Sequence, residues 1–460
     1  MSIAQSIRRV FSIPELRSKI IFTVLMLIVC RVGGFVPVPG INGELALSYF
    51  KSLTGGGQNF FQLIDIFSGG AFSHMTIVAL GVMPYISASI IIQLLVAVVP
   101  SMQREVRDHP ELGRRKVMRW TRYATILFAL LQAGLFAKFT LQANSVTPGI
   151  VIAHVANVQA LGVPWLFYLL VGASMTAGTL LLMWIGEQIS ERGIGNGISL
   201  IIAVGIVASL PTAIGSLVQD LNLSSQEPGQ LSFSMLLVLL SVFVLVVMGT
   251  ILIIQGQRRV PLQYARRIVG RREVQASGSP YLPLRINYAG VIPVIFASTL
   301  LMFPGTIAGF LAEGGWMRNL ALWLSPGSSL YTVLYILLIV AFTYYWTATQ
   351  FNPQQIASEM KRSGAFIPGL RQGKATQDYL ESTMGRVTFL GAVFLAAIAV
   401  SPTILGRLLG INPSISYFFG GTSLLILVGV ILDTLKQIES HLLMRRYDGF
   451  MQRGRVRARY

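Results

Sequence analysis

The chain is 460 residues long, 53% hydrophobic and only 12% charged. A soluble fold of this length needs far more surface charge, so the composition excludes one and points to a chain that crosses a membrane repeatedly. The formal net charge of +18 fits either a nucleic-acid partner or basic loops held on one side of a bilayer, and the placement of the charges decides between them.

A spanning helix needs about 20 apolar residues. Ten such runs are predicted, near 20–36, 75–99, 121–142, 164–185, 194–214, 231–254, 287–308, 329–350, 386–405 and 416–436. The first follows Arg8, Arg9, Arg17 and Lys19 as a signal peptide would, but no small-residue cleavage site comes after it, so it is read as a retained helix. Cys30, the single cysteine, lies inside this run, which leaves no disulfide and no thiol metal site and makes it a small core residue. The stretch Ile64 to Leu95 is the unusual one. Its first part is short and rich in Gly and Ser (Ser68, Gly69, Gly70, Ser73), and its second is apolar but carries Gly81 and Pro84 near its middle. Breakers are tolerated in a membrane where neighbouring protein or a water-filled cavity satisfies the freed backbone. The expectation is a half-length segment feeding a kinked spanning helix beside a pathway; an ordinary re-entrant loop accounts for the short part equally well.

An even number of spans puts both termini on one side, with connections 100–120, 186–193, 255–286 and 351–385 and the tail 437–460. That side holds 28 of the 36 Lys and Arg, against three (Lys51, Arg318, Arg407) in the opposite loops. Both termini are therefore expected in the cytoplasm. Charge spread over loops argues against a folded nucleic-acid anchor. Five spans before Asp220 and five after it suggest an inverted repeat, because an odd-numbered unit repeated once must flip in the membrane. Both halves have interrupted spans (Gly81 and Pro84; Pro293 and Pro304), although no clear sequence repeat joins them. The expected divisions are 1–220, 221–436 and a basic tail, 437–460.

The chemistry of a driven transporter is missing. Such proteins keep acids deep in their spans, whereas Asp65, Glu187, Asp220, Glu313 and Asp433 all fall near ends or in loops. Arg31, near the outer end of its helix, can snorkel; His74 and His154 read as surface residues. Gly369 to Lys374 has the wrong glycine spacing for a phosphate loop, and Gly193-Ile-Gly195-Asn-Gly197 the wrong spacing for a dinucleotide site. A passive pathway driven from outside is the leading reading. A small-solute transporter built from inverted repeats is the main alternative.

The residues themselves carry a resemblance. GVMPYISASIIIQLL (81–95), RVGGFVPVPGIN (31–42), ERGIGNGISL (191–200), INYAGVIPVIFAS (286–298), KRSGAFIPGLR (361–371) and FFGGTSLLI (418–426) resemble blocks of the SecY/Sec61-alpha family, the central subunit of the Sec protein-translocation channel. The blocks run from the first predicted helix to the tenth. The resemblance implies an all-α polytopic fold of ten transmembrane helices in two pseudo-symmetric inverted halves of five, with a re-entrant plug. It implies a protein-conducting channel that moves unfolded chains outward and releases apolar segments sideways, with no bond broken, no catalytic residue, no metal and no cofactor.

Carried over by position, the plug is Ile64, Asp65, Ile66, Phe67, Ser68, Gly69, Gly70, Ala71, Phe72 and Ser73. The pore ring is Val82, Ile86, Ile198, Ile202, Ile295 and Ile426; a valine at 82, where family members often have isoleucine, keeps the ring dry and widens it slightly. Val82/Ile86 and Ile198/Ile202 are i, i+4 pairs, so each pair shares a helix face. A lateral gate is implied between helices two and three on one side and seven and eight on the other, at Ser87, Ser89, Asn287, Ser298 and Thr299. Small polar residues suit surfaces that pack and separate, and ordinary helix packing explains them almost as well. Loops 255–286 and 351–385 are implied to dock the ribosome or the motor ATPase SecA. Arg258 and Arg259 suit phosphates of ribosomal RNA and Arg371 resembles the motor-coupling arginine; topology retention alone needs only a few such charges. The remaining implied partners are the small membrane subunits SecE and SecG, signal peptides and nascent polypeptides, in the bacterial cytoplasmic (inner) membrane. The basic tail suits an anchor to anionic lipids or a docking role alike.

Overall fold

The computed structural model describes residues 13–54, 60–152, 164–220, 233–264, 268–269, 272–273, 280–310, 319, 322–325, 328–409 and 422–457. His154 and the arginines at 266, 267 and 271 lie outside the described residues, as does the start of the tenth apolar run. In chain order the N-terminal part contains α1 (Pro14–Gly33), α2 (Gly43–Thr54), α3 (Phe60–Ser68), α4 (Met83–Val98), α5 (Pro100–Asp108), α6 (Pro110–Val146), α7 (Trp165–Arg192) and α8 (Gly197–Asp220). After it come α9 (Phe233–Gln255), α10 (Ile292–Phe310), α11 (Ser329–Gln350), α12 (Pro353–Ser363), α13 (Lys374–Leu409) and α14 (Thr422–Arg457). Each predicted apolar run carries one of these helices. Among the described residues six helices are long and apolar enough to cross a membrane, and the bent pair α4–α5 makes a seventh if counted as one span.

Two predicted kinks are corrected. Gly81 and Pro84 do not bend a continuous helix over 75–99. After α3 the chain passes through turns, with Gly69, Gly70 and Gly81 at φ +67°, +85° and +57°, and α4 starts at Met83 with Pro84 in its first turn. Proline is accommodated there because an N-terminal N–H has no intrahelical acceptor. Pro293 likewise occupies the first turn of α10. The true bend comes later, 98° between α4 and α5, where Pro100 opens a new helix.

The expectation of a purely α-helical chain is also modified. β1 (Gln257–Pro261) pairs antiparallel with β5 (Tyr281–Arg285), β2 (Gln263–Tyr264) with β6 (Ala365–Phe366), and β3 (Ile268–Val269) with β4 (Arg272–Glu273). The β2–β6 ladder joins the two stretches expected to be separate hydrophilic loops. Beneath them Val260, Leu284, Phe351, Met360, Ala365, Ile367, Leu380 and Met384 form a small apolar core of their own. The main core draws on helices from both halves of the chain, with Phe136, Phe167, Ile202 and Ile206 among its fully buried members.

Candidate functional site

A cavity of about 720 Å³ enters the helical body from the end that carries Glu111, Arg114, Arg115 and Glu191. Its lining includes Ile86, Ile198, Ile202 and Ile295. Four of the six residues assigned to the ring therefore line one space, contributed by α4, α8 and α10. Val82 and Ile426 do not line the cavity; both are buried in the same apolar core, Ile426 completely. Val82 is the residue that caps α4, and its carbonyl accepts the N–H of Ile86 at 3.0 Å, so the two remain one helical turn apart. On one wall Arg122 and Glu187 form a bidentate pair, at 3.1 and 2.7 Å, between α6 and α7. Among the described residues the buried indole N–H of Trp346 has no hydrogen-bond partner.

The segment 64–73 lies in the body of the protein. Ile64, Phe67, Ala71, Phe72 and Ser73 are buried, and Phe72 meets Phe50, Phe61 and Phe136 at ring-centroid distances of 5.9, 5.9 and 5.4 Å. Its turn is braced from within. Asp65 Oδ1 accepts the Ser73 N–H at 2.8 Å, the Asp65 carbonyl accepts the Gly70 N–H at 2.9 Å, and Ser68 Oγ accepts the Phe72 N–H at 3.1 Å. Gly69, left-handed at φ +67°, follows the last turn of α3, and the 65–70 bond closes it in the manner of a Schellman cap.

Contact with α8 is at backbone level. A Cβ on Gly205 would lie 2.8 Å from the Phe67 carbonyl oxygen, and one on Gly69 would lie 2.8 Å from Gly205 Cα. Arg31 is the participant that sequence reasoning missed. It does not snorkel: its Nη1 donates to the Gly69 carbonyl at 2.6 Å, with the guanidinium 5.3 Å from the Phe35 ring centre. The available signal was a lone arginine inside an apolar run.

The seam between α4/α6 and α10/α11 is closed. Ser87 of α4 and Thr299 of α10 line one gap of about 30 Å³, which Ile64 and Phe72 also border. Phe128 and Phe303 cross it edge to face at 5.4 Å, and Tyr345 OH donates to the Gln93 carbonyl at 3.1 Å. The other assigned residues bond locally. Ser298 and Thr299 donate to the Ile295 carbonyl, Asn287 bridges Ala289 and Gly290, and Ser89 accepts from Gln93. Asn287 thus shapes the approach to α10 and does not reach across the seam.

Arg258, Arg259 and Arg371 are exposed on the β-containing unit. Arg259 stacks over Tyr281, 4.8 Å from its ring centre, across the β1–β5 ladder.

These features define a class: a multi-pass membrane protein with a half-open cavity lined in part by aliphatic side chains and a short folded-in segment packed in the same core. Residues 76–435 match the SecY family. The protein translocase subunit SecY of Chlamydia trachomatis is 60% identical over 455 residues, covering 99% of each chain, and that of Escherichia coli K12 is 40% identical over 454 residues, 96% of this chain and 95% of that one. The fold is similar to a solved protein-conducting channel (TM-score 0.60, 22% identity, covering 92% of this chain and 91% of that one). It is similar too to Sec61 in the canine ribosome-channel complex (TM-score 0.57, 18% identity, covering 92% and 91%). The chain belongs to the SecY family, whose named members are translocase channel subunits and not enzymes.

Proposed function

We propose that the protein is the protein-conducting channel of a bacterial cytoplasmic membrane, passing unfolded chains outward and releasing apolar segments sideways into lipid. In this reading ten helices span the bilayer, α1, α4, α6, α7 and α8 in one half (1–220) and α9, α10, α11, α13 and α14 in the other (221–436), with both termini cytoplasmic. The large cavity is the cytoplasmic vestibule. The ring at Val82, Ile86, Ile198, Ile202, Ile295 and Ile426 is the constriction, and 64–73 is the plug beyond it. The observation that carries the reading is the juxtaposition of these parts, a half-open cavity lined in part by four branched aliphatic residues from three helices, with a self-braced segment packed in the body. An apolar constriction resists water and ions by dewetting yet can widen around a chain, since it makes no bond that must be broken.

Lateral release takes place at the seam between α4/α6 and α10/α11, where Ser298 and Thr299 are bonded to their own helix and the Tyr345–Gln93 hydrogen bond is the polar contact that parting the faces must break. Driving force comes from SecA or from the ribosome, at the unit bearing Arg258, Arg259 and Arg371; the canine relative was solved in a ribosome-channel complex. SecE and SecG flank the helices, signal peptides enter at the seam, and the basic tail lies on anionic lipid. Reconstitution tests the whole reading: proteoliposomes containing the protein with its small subunits should import a signal-bearing unfolded precursor when SecA and ATP are supplied. Import of a small solute against its gradient, with no precursor import, would establish the transporter reading instead.

A further inference from the structure

Three observations converge on one residue of α1. First, Arg31 Nη1 donates to the carbonyl of Gly69 at 2.6 Å, a contact between segments 38 residues apart. Second, Gly69 follows the capped end of α3, where a helix concentrates unsatisfied carbonyls and partial negative charge, the end that favours a cation. Third, Gly69 is pressed against Gly205 of α8: a Cβ on Gly69 would lie 2.8 Å from Gly205 Cα and 2.9 Å from Arg31 Nη1, and one on Gly205 would collide with the Phe67 carbonyl. The plug backbone therefore meets a guanidinium from α1 and a bare stretch of α8 at one residue, which has no room for a side chain. The guanidinium also lies 5.3 Å from the ring centre of Phe35.

We propose that Arg31 is the latch that positions the plug in the closed channel, an assignment that rests on reading 64–73 as the plug. The latch grips main chain. Its hydrogen bond is to a carbonyl, while the Asp65 carboxylate, close enough to attract the guanidinium, is itself engaged by the Ser73 N–H of the plug's own turn. Opening requires one strong bond to be given up at a single carbonyl, while the flat glycine contact with α8 resists nothing once the plug slides away. A charge-assisted hydrogen bond of this kind shifts a two-state equilibrium by about tenfold or more when lost.

The test uses the full-length protein with its small subunits in proteoliposomes, in a Cys30→Ala background with Ile66→Cys as a reporter on the plug. Arg31→Ala should speed labelling of that cysteine by an impermeant maleimide by about tenfold and make openings more frequent in single-channel recordings. Arg31→Lys, which restores a donor without the planar fork, should fall between. In a channel lacking 64–72, Arg31→Ala should add nothing to the conductance of the deletion alone, because the latch acts only through the plug. Unchanged labelling in Arg31→Ala, with the deletion conducting, overturns the latch and leaves the plug reading standing. A deletion that does not conduct overturns the plug reading, and the latch with it. Should Arg31→Ala fail to assemble, Arg31→Gln removes the charge while keeping much of the side chain, and unchanged labelling there also overturns the proposal.

Discussion

Ile426 is wholly buried in the apolar core around the cavity floor, so replacing one of its methyl-bearing branches with an amide puts a hydrogen-bonding group where none can be satisfied except by water. Ile426→Asn is therefore expected to wet the constriction and raise resting ion conductance in planar bilayers; unchanged conductance would remove this residue from the seal. Glycines make a second point at the same scale. A Cβ at Gly178 would collide with the carbonyl of Ile77, part of the turn-rich stretch that follows the plug, whereas one at Gly134 would meet nothing within 4 Å. Gly178→Ala should cost on the order of 1–3 kcal/mol, as overpacking does, and lower the melting temperature in detergent, while Gly134→Ala should leave it unchanged or raise it. Equal behaviour of the two variants would show that the α7 contact yields. Sequence alone did not separate these two glycines, because what differs between them is the approach of a segment a hundred residues away.

Elements were legible where one physical signal dominated. Each apolar run carries a helix, since burying backbone polar groups leaves few alternatives. Breakers were recognised as breakers but misplaced: Pro84 and Pro293 start helices, and only the cap geometry at Val82 distinguishes a first-turn proline from a kink. The β2–β6 ladder was invisible because its two-residue strands lie about a hundred residues apart and carry no alternation long enough to read. Of the seam residues, Ser87 and Thr299 line one gap, whereas Asn287 serves its own loop. This choice sharpens the gate prediction. Cysteines at Ser87 and Thr299, in a Cys30→Ala background, should be joined by a short reversible crosslinker, and joining them should stop precursor import until reduction. Efficient crosslinking with undiminished import would place the exit elsewhere.

For the protein taken as one body, what remains is whether the β-containing unit docks a driver or merely holds topology. Its shared core means that the stretches around Arg258 and Arg371 fold together, so a defect in either could come from unfolding and not from lost contact. Leu284, with no exposed surface, provides the control: Leu284→Ala should cost about 2–5 kcal/mol of local stability, opening the unit to protease and disabling every function it has. Reversals at exposed arginines should behave otherwise, because exposed charges contribute only about 0–1 kcal/mol to a fold. Arg258→Glu with Arg259→Glu also sets a carboxylate beside the Tyr281 ring, which removes the stacking but leaves the Val260–Leu282 register intact. That variant should lose ribosome affinity, with the parent's steep salt dependence flattened, since phosphate neutralisation carries such contacts. Arg371→Glu should instead depress SecA-driven import, because a desolvated arginine at an interface can cost roughly 2 kcal/mol or more when lost. Both should keep wild-type protease resistance. Ribosome affinity, ATP-driven import and proteolysis measured on the three variants separate the cases. Full activity of both reversals in both assays would make these arginines topology signals, and protease sensitivity matching Leu284→Ala would make them structural.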